Sequence, residues 1–209
     1  MDKGKAVITV SRIISGIFNP FIIPFAAFLV LFLFSYLRML PLQYKLLVLG
    51  IVYCFTILLP MVTIFLFQKI NGMKIKDLSN REKRFVPYGL TIIAYLFCLL
   101  MMYKLNMPYY MSGIIMATLL ATVVCVVLNL KWKISEHMAG MGGVVGGLLC
   151  FSFLFNYNPV WWLCLFILIA GVLGTARILL KQHTLGQVLS GFSVGLCCAV
   201  AGILLIRIY

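Results

Sequence analysis

The sequence predicts an all-α integral membrane protein, a helical bundle of about seven transmembrane helices. Three observations carry that prediction. Apolar residues make up 64% of the 209-residue chain and charged residues only 10%, where soluble globular domains run at about 45–50% and about 25%. A soluble fold of this size would have to leave much of that apolar surface in water. The charged residues also fall between long apolar runs, and a crossing needs about 20 mostly apolar helical residues. The net charge of +13 comes from 17 Lys and Arg against 4 Asp and Glu. Cations bordering membrane spans account for it, and a nucleic-acid stripe would need a soluble face that this chain lacks.

The first candidate crossing is Ile13–Leu37, preceded by Lys3, Lys5 and Arg12. It is longer than a signal-peptide core of about 7–15 residues, so it counts as a span, which Pro20 and Pro24 either kink or make re-entrant. Leu46–Gln68, Phe85–Tyr103 and Leu105–Leu130 follow. Met138–Ala176 has room for two crossings, with the turn signal Asn156-Tyr157-Asn158-Pro159 in its middle. Thr184–Ile206 completes seven. Residues 1–209 read as a single multipass membrane domain, with no internal repeat and no soluble module.

Seven passes put the N-terminus and the second, fourth and sixth connections on one side. That side holds thirteen of the 17 cations, and the other holds only Arg38, Lys45, Lys104 and Arg207. All four acids, Asp2, Asp77, Glu82 and Glu136, also lie on the cation-rich side. The positive-inside rule predicts that this side faces the cytoplasm of a cell membrane.

Several residue classes read as packing. The seven cysteines lie within apolar runs and lack zinc-ligand spacing with a His. The pairs Gly142/Gly146, Gly143/Gly147 and Gly191/Gly195 are small-xxx-small spacings that let helices approach. Trp132, Trp161, Trp162, Tyr157 and Tyr209 stand at span ends as interfacial residues.

Chemistry concentrates in two short segments on the cation-rich side. Lys131-Trp132-Lys133-Ile134-Ser135-Glu136-His137 opens the fifth span, and Arg177-Ile178-Leu179-Leu180-Lys181-Gln182-His183 links the sixth to the seventh. His137 and His183 are the only histidines. Polar residues at the membrane edge are costly and tend to mark function, although a single interfacial His more often makes a plain hydrogen bond. Two His beside Arg177, Lys131 and Lys133 suit phosphoryl transfer. Arg holds phosphate bidentately, one imidazole attacks phosphorus, and a second protonates the leaving oxygen. No carboxylate cluster is present to hold a divalent metal, so the expected chemistry uses no metal and no cofactor.

These segments resemble the type 2 phosphatidic acid phosphatase family, whose motifs read Lys-x6-Arg-Pro, Pro-Ser-Gly-His and Ser-Arg-x5-His-x3-Asp. Ser135-Glu136-His137 stands where the second motif falls, and Ala176-Arg177-x5-His183-x3-Gln187 where the third does. The resemblance covers the core, 46–209, and leaves 1–37 as an extra N-terminal helix. It implies a membrane lipid phosphatase acting on a phosphate monoester or diphosphate of a lipid, of the phosphatidate, phosphatidylglycerophosphate or prenyl diphosphate class. His183 would be the nucleophile that forms a phosphohistidine, His137 the general acid, Arg177 a phosphate ligand, and Ser135 a hydrogen-bond donor to phosphate. Lys131 or Lys133 would stand for the first motif. Arg81 and Arg84 would contact the headgroup from the neighbouring loop, or that loop simply anchors anionic lipid.

The chain departs from the pattern. Ile134 and Glu136 replace the Pro and Gly of the second motif, and Ala176 replaces the Ser of the third. Lys74-x6-Arg81 has the first motif's spacing but is followed by Glu82. Gln187 replaces the Asp that would hold the imidazole and stabilise its positive charge. In a serine-protease triad the same exchange costs about 10⁴-fold in turnover. That departure keeps open a second reading, a catalytically weak or inactive relative that binds or transports a phosphorylated lipid. The partners implied either way are that lipid and the surrounding membrane lipids, with no nucleic acid; the oligomeric state is left open. Bis-histidine haem ligation by His137 and His183 is a third idea, which a colourless protein would end. A retinal receptor is disfavoured because the seventh span has no lysine.

Overall fold

The computed structural model describes residues 3–34, 36–70, 72, 85–156 and 158–206, and among them the backbone is helical nearly throughout. In hydrocarbon every peptide group must be paired within its own segment, and the helix does this without neighbours. The elements are α1 (Lys3–Ile17), α2 (Ile22–Phe34), α3 (Leu42–Ile70), α4 (Phe85–Lys104), α5 (Tyr109–Asn129), α6 (Glu136–Phe155), α7 (Val160–Leu179) and α8 (Leu185–Ile206). Six of them, α3 to α8, are long and apolar enough to cross a membrane. The pair α1–α2, bent by 65° at its break, makes a seventh if its two halves form one broken span, and a re-entrant loop if they do not.

The expected first span, Ile13–Leu37, is therefore broken rather than continuous. The break falls at Phe18–Phe21, just before and around Pro20, which has no N–H to continue the ladder. The Asn19 side chain accepts from the Phe21 N–H at 3.1 Å and closes the turn. Packing explains the change of direction. Ile14 of α1 and Phe18 just after it pack on a cluster formed by Met138, Met141, Leu173 and Val188 of α6, α7 and α8. Phe28, Leu31 and Phe32 of α2 pack instead with Val48, Val52, Tyr95 and Met111 of α3, α4 and α5. A straight helix could not serve both clusters.

The other boundaries follow local chemistry. In α3 the turn Cys54–Leu58 is π-helical, which takes up the clash and the missing donor of Pro60 without ending the helix. The long apolar stretch Met138–Ala176 divides where its turn signal lies: α6 ends on Asn156 in the left-handed conformation (φ 48°), and Pro159 caps α7. Asn tolerates that conformation better than most side chains. Asn106 does the same between α4 and α5 (φ 49°).

Helices α5, α6 and α8 approach most closely, because glycines line their seams. A Cβ on Gly146 would lie 2.6 Å from the Leu196 carbonyl oxygen, and one on Gly202 would lie 2.6 Å from the Ala117 backbone. Lipid tails are as apolar as leucine, so close van der Waals contact rather than water exclusion holds such seams together. At one end of the bundle the start of α4 meets the start of α6, where the Tyr88 hydroxyl donates to the Glu136 carboxylate. The end of α7 and the start of α8 close the same end of the bundle.

Candidate functional site

Two helix-end devices position Arg177 and His183. At the end of α7 the Gln182 N–H donates to the Arg177 carbonyl at 3.2 Å and the Lys181 N–H to the Ile178 carbonyl at 2.8 Å. This pairing is a Schellman stop, with Lys181 in the left-handed position (φ 53°) that glycine usually takes. Helix α8 then opens with a capping box over Thr184-Leu185-Gly186-Gln187. The Gln187 Oε1 accepts from the Thr184 N–H at 3.2 Å, and the Gln187 N–H reaches the Thr184 hydroxyl at 3.5 Å. Stop and start together hold Arg177 and His183, both buried, on the inner side of the turn. A non-glycine residue in the left-handed region costs about 1 kcal/mol or more. Lys181→Gly is therefore expected to stabilise the protein by up to about 1 kcal/mol, read as a rise in Tm of the detergent-solubilised protein.

The same bonds set the His183 tautomer. Its Nδ1 lies 3.3 Å from the Gln187 Oε1. That atom already accepts from a backbone N–H, so it is the amide oxygen and Nδ1 must be the donor. In the neutral ring Nε2 then carries the lone pair. Gln187 is accordingly a shared acceptor, half of its duty being to cap α8. The Thr-x-x-Gln spacing was present in the sequence as a helix-start signal alongside the motif position.

His137 sits in the first turn of α6, and its Nε2 lies 3.1 Å from the Ser15 carbonyl oxygen of α1. A carbonyl only accepts, so Nε2 carries a proton. Ser15 O is one of the last carbonyls of α1, which the helix itself leaves unpaired. No sequence signal pointed to this contact, which joins residues 122 positions apart.

His137, His183 and Arg177 line one cavity of about 820 Å³, together with Glu136 and Tyr88. The cavity runs between α2, α4, α5, α6, α7 and α8, and beyond these polar residues its wall is mostly apolar. The two motif segments are also joined directly, since the Ser135 N–H donates to the Gln187 carbonyl at 3.3 Å. Gly191 permits this junction, because a Cβ there would lie 2.5 Å from the Ser135 carbonyl oxygen.

The remaining predicted site residues sit elsewhere. Ser135 is wholly buried at the start of α6 but does not line the cavity, and its hydroxyl makes no hydrogen bond. Lys131 is exposed and Lys133 half-buried in the turn after α5, and neither lines the cavity. Arg81 and Arg84 lie outside the described residues. Gly143 and Gly147 face the cavity, whereas Gly142 and Gly146 take the packing role expected of both pairs. Among the described residues no three of His, Cys, Asp and Glu gather as metal ligands.

Fold and site together define a multipass helical membrane protein with an amphiphilic cavity between its helices. Compared with protein-family models, with curated proteins and with solved structures, the chain matches none.

Proposed function

We propose that this protein is a membrane lipid phosphatase that uses His183 as its nucleophile. The observation that carries the reading is that His183, His137 and Arg177 line one mostly apolar cavity from helix ends on the same side of the bundle. Such a cavity suits an amphiphile with an anionic head, and Arg177 supplies two parallel donors to phosphate oxygens. The resemblance of Ser135-Glu136-His137 and Arg177-x5-His183 to the type 2 phosphatidic acid phosphatase motifs points the same way.

The steps follow from the tautomers. The lone pair on Nε2 of neutral His183 attacks phosphorus as the bond to the leaving oxygen breaks, and His137, entering the step as the imidazolium, gives that oxygen its Nδ1 proton and keeps the one on Nε2. Water then attacks the phosphoryl-His183, returning a proton to His137, and inorganic phosphate departs. Gln187 keeps the Nδ1 proton of His183 in place during both steps but offers no negative charge.

Phosphate release from phosphatidate, phosphatidylglycerophosphate and prenyl diphosphates by the purified protein tests the reading. Absence of release from all three classes overturns it in favour of the second reading, a protein that binds or carries a phosphorylated lipid without cleaving it. The neutral Gln187, tied into the cap of α8, favours that alternative. Gln187→Glu separates the two. Glu keeps the capping box and places a carboxylate beside His183 Nδ1. In an enzyme it is expected to raise turnover by at least about tenfold. In a binder it leaves lipid affinity nearly unchanged and creates no activity.

A further inference from the structure

The depth of the cavity says what kind of tail would fill it, an inference that rests on the lipid-phosphate reading. The cavity follows one face of α6 through His137, Gly140, Val144, Gly147, Phe151 and Phe155. At about 1.5 Å per residue, His137 and Phe155 stand about 27 Å apart along the helix. One leaflet supplies only about 15 Å of the roughly 30 Å hydrocarbon layer. With His137 set at the hydrocarbon edge of its leaflet, the cavity passes the membrane midplane near Gly147, about 15 Å along the helix.

That path is built for hydrocarbon. The hydroxyls of Thr91, Thr118 and Thr122 along it donate to the carbonyls of Pro87, Ile114 and Thr118, so they ask nothing of a ligand. Gly143 and Gly147 keep it open, since a Cβ at either would meet nothing nearer than 4.0 Å. Aromatic rings line the far end. Phe151 stacks on Phe155 with centroids 5.6 Å apart, and Trp162 stacks on Phe166 at 6.3 Å. A tail one leaflet long would leave this half unfilled and its lining without contacts.

We propose that the site takes a phosphorylated amphiphile whose chain crosses the midplane. Its head lies at Arg177 and the two histidines, and its chain end lies against Phe151, Phe155 and Trp162. Gly147 is the specificity-determining residue that admits the chain beyond one leaflet.

The full-length protein in phosphatidylcholine nanodiscs, with Trp132→Phe and Trp161→Phe, leaves Trp162 as the reporter. The probes are dodecyl phosphate, about one leaflet long, and docosyl phosphate, about as long as the cavity, each brominated at the chain end. The long probe is expected to quench Trp162 and to be displaced by unbrominated docosyl phosphate, while the short probe quenches little. Each buried methylene is worth about fourfold in affinity, so excluding a few of them with Gly147→Leu weakens the long probe by about fiftyfold or more. Equal quenching by both lengths, or quenching that docosyl phosphate does not displace, overturns the proposal. The chain-length comparison needs no variant at position 147, so it decides the matter even if Gly147→Leu fails to fold. Displaceable, length-dependent quenching without phosphate release would remove the phosphatase reading alone. Phosphate release without such quenching would remove this inference alone.

Discussion

His183→Ala is expected to bring phosphate release down to a residue of about 10³–10⁴ over uncatalysed hydrolysis, the level that binding and electrostatics alone sustain when other enzymes lose their nucleophile. Among the described residues, no other side chain at the polar end of the cavity stands ready to replace it. The Glu136 carboxylate accepts from Tyr88, and His137 is held through Nε2 by the first helix. Alanine removes a ring that is 7% exposed, but the turn that carries it is built from backbone bonds and the Thr184–Gln187 box, so the fold should persist. His137→Ala makes a different prediction. General acid catalysis contributes about 10²–10⁴-fold on an alkyl leaving group and far less on one that needs no proton. The variant should therefore fail on phosphatidate yet retain most activity on an aryl phosphate. Equal losses on both substrates would remove the acid assignment.

The second large effect is on assembly. Gly142→Ala and Gly195→Ala are each expected to cost about 3 kcal/mol or more, enough to prevent accumulation of folded protein. A Cβ at Gly142 would run into the backbone carbonyl of Phe192, and one at Gly195 into that of Ala139. Backbone cannot swing aside as a side chain does, so α6 and α8 would have to separate. Gly143→Ala, one residue along, meets nothing nearer than the Gly195 carbonyl oxygen at 4.0 Å and should be neutral or stabilising by up to about 1 kcal/mol through helix propensity. Thermal unfolding in detergent compares the series, and equal tolerance at Gly142 and Gly143 would contradict the packing described. The α6–α8 seam carries both motif segments, so its loss and the loss of the site should coincide.

How far the sequence could be read depended on the range of the interactions. Crossings are decided by local composition, and α4 to α8 lie close to the apolar runs that announce them. The split of Met138–Ala176 was legible because Asn156 and Pro159 act within a few residues. Pro20 and Pro24 marked a disturbance in the first span, but its direction is set by two separate apolar clusters that the local sequence does not name. At the site, spacing brought out His137, Arg177, His183 and Gln187, which share one end of the bundle. It missed the Ser15 carbonyl, since main-chain acceptors carry no residue signature. It also gave both glycine pairs of α6 one role, because a period of four does not say which helix, or which empty space, each face meets.

The most direct test of the central chemistry is a covalent one. Radiolabelled substrate is mixed with the purified protein, quenched within a turnover, and the labelled position is found by peptide mapping. An acid-labile, base-stable phosphoryl group on His183, absent from His183→Ala, is the result expected. Label on another residue, or steady release of phosphate with no label on His183, would contradict the role assigned to that ring.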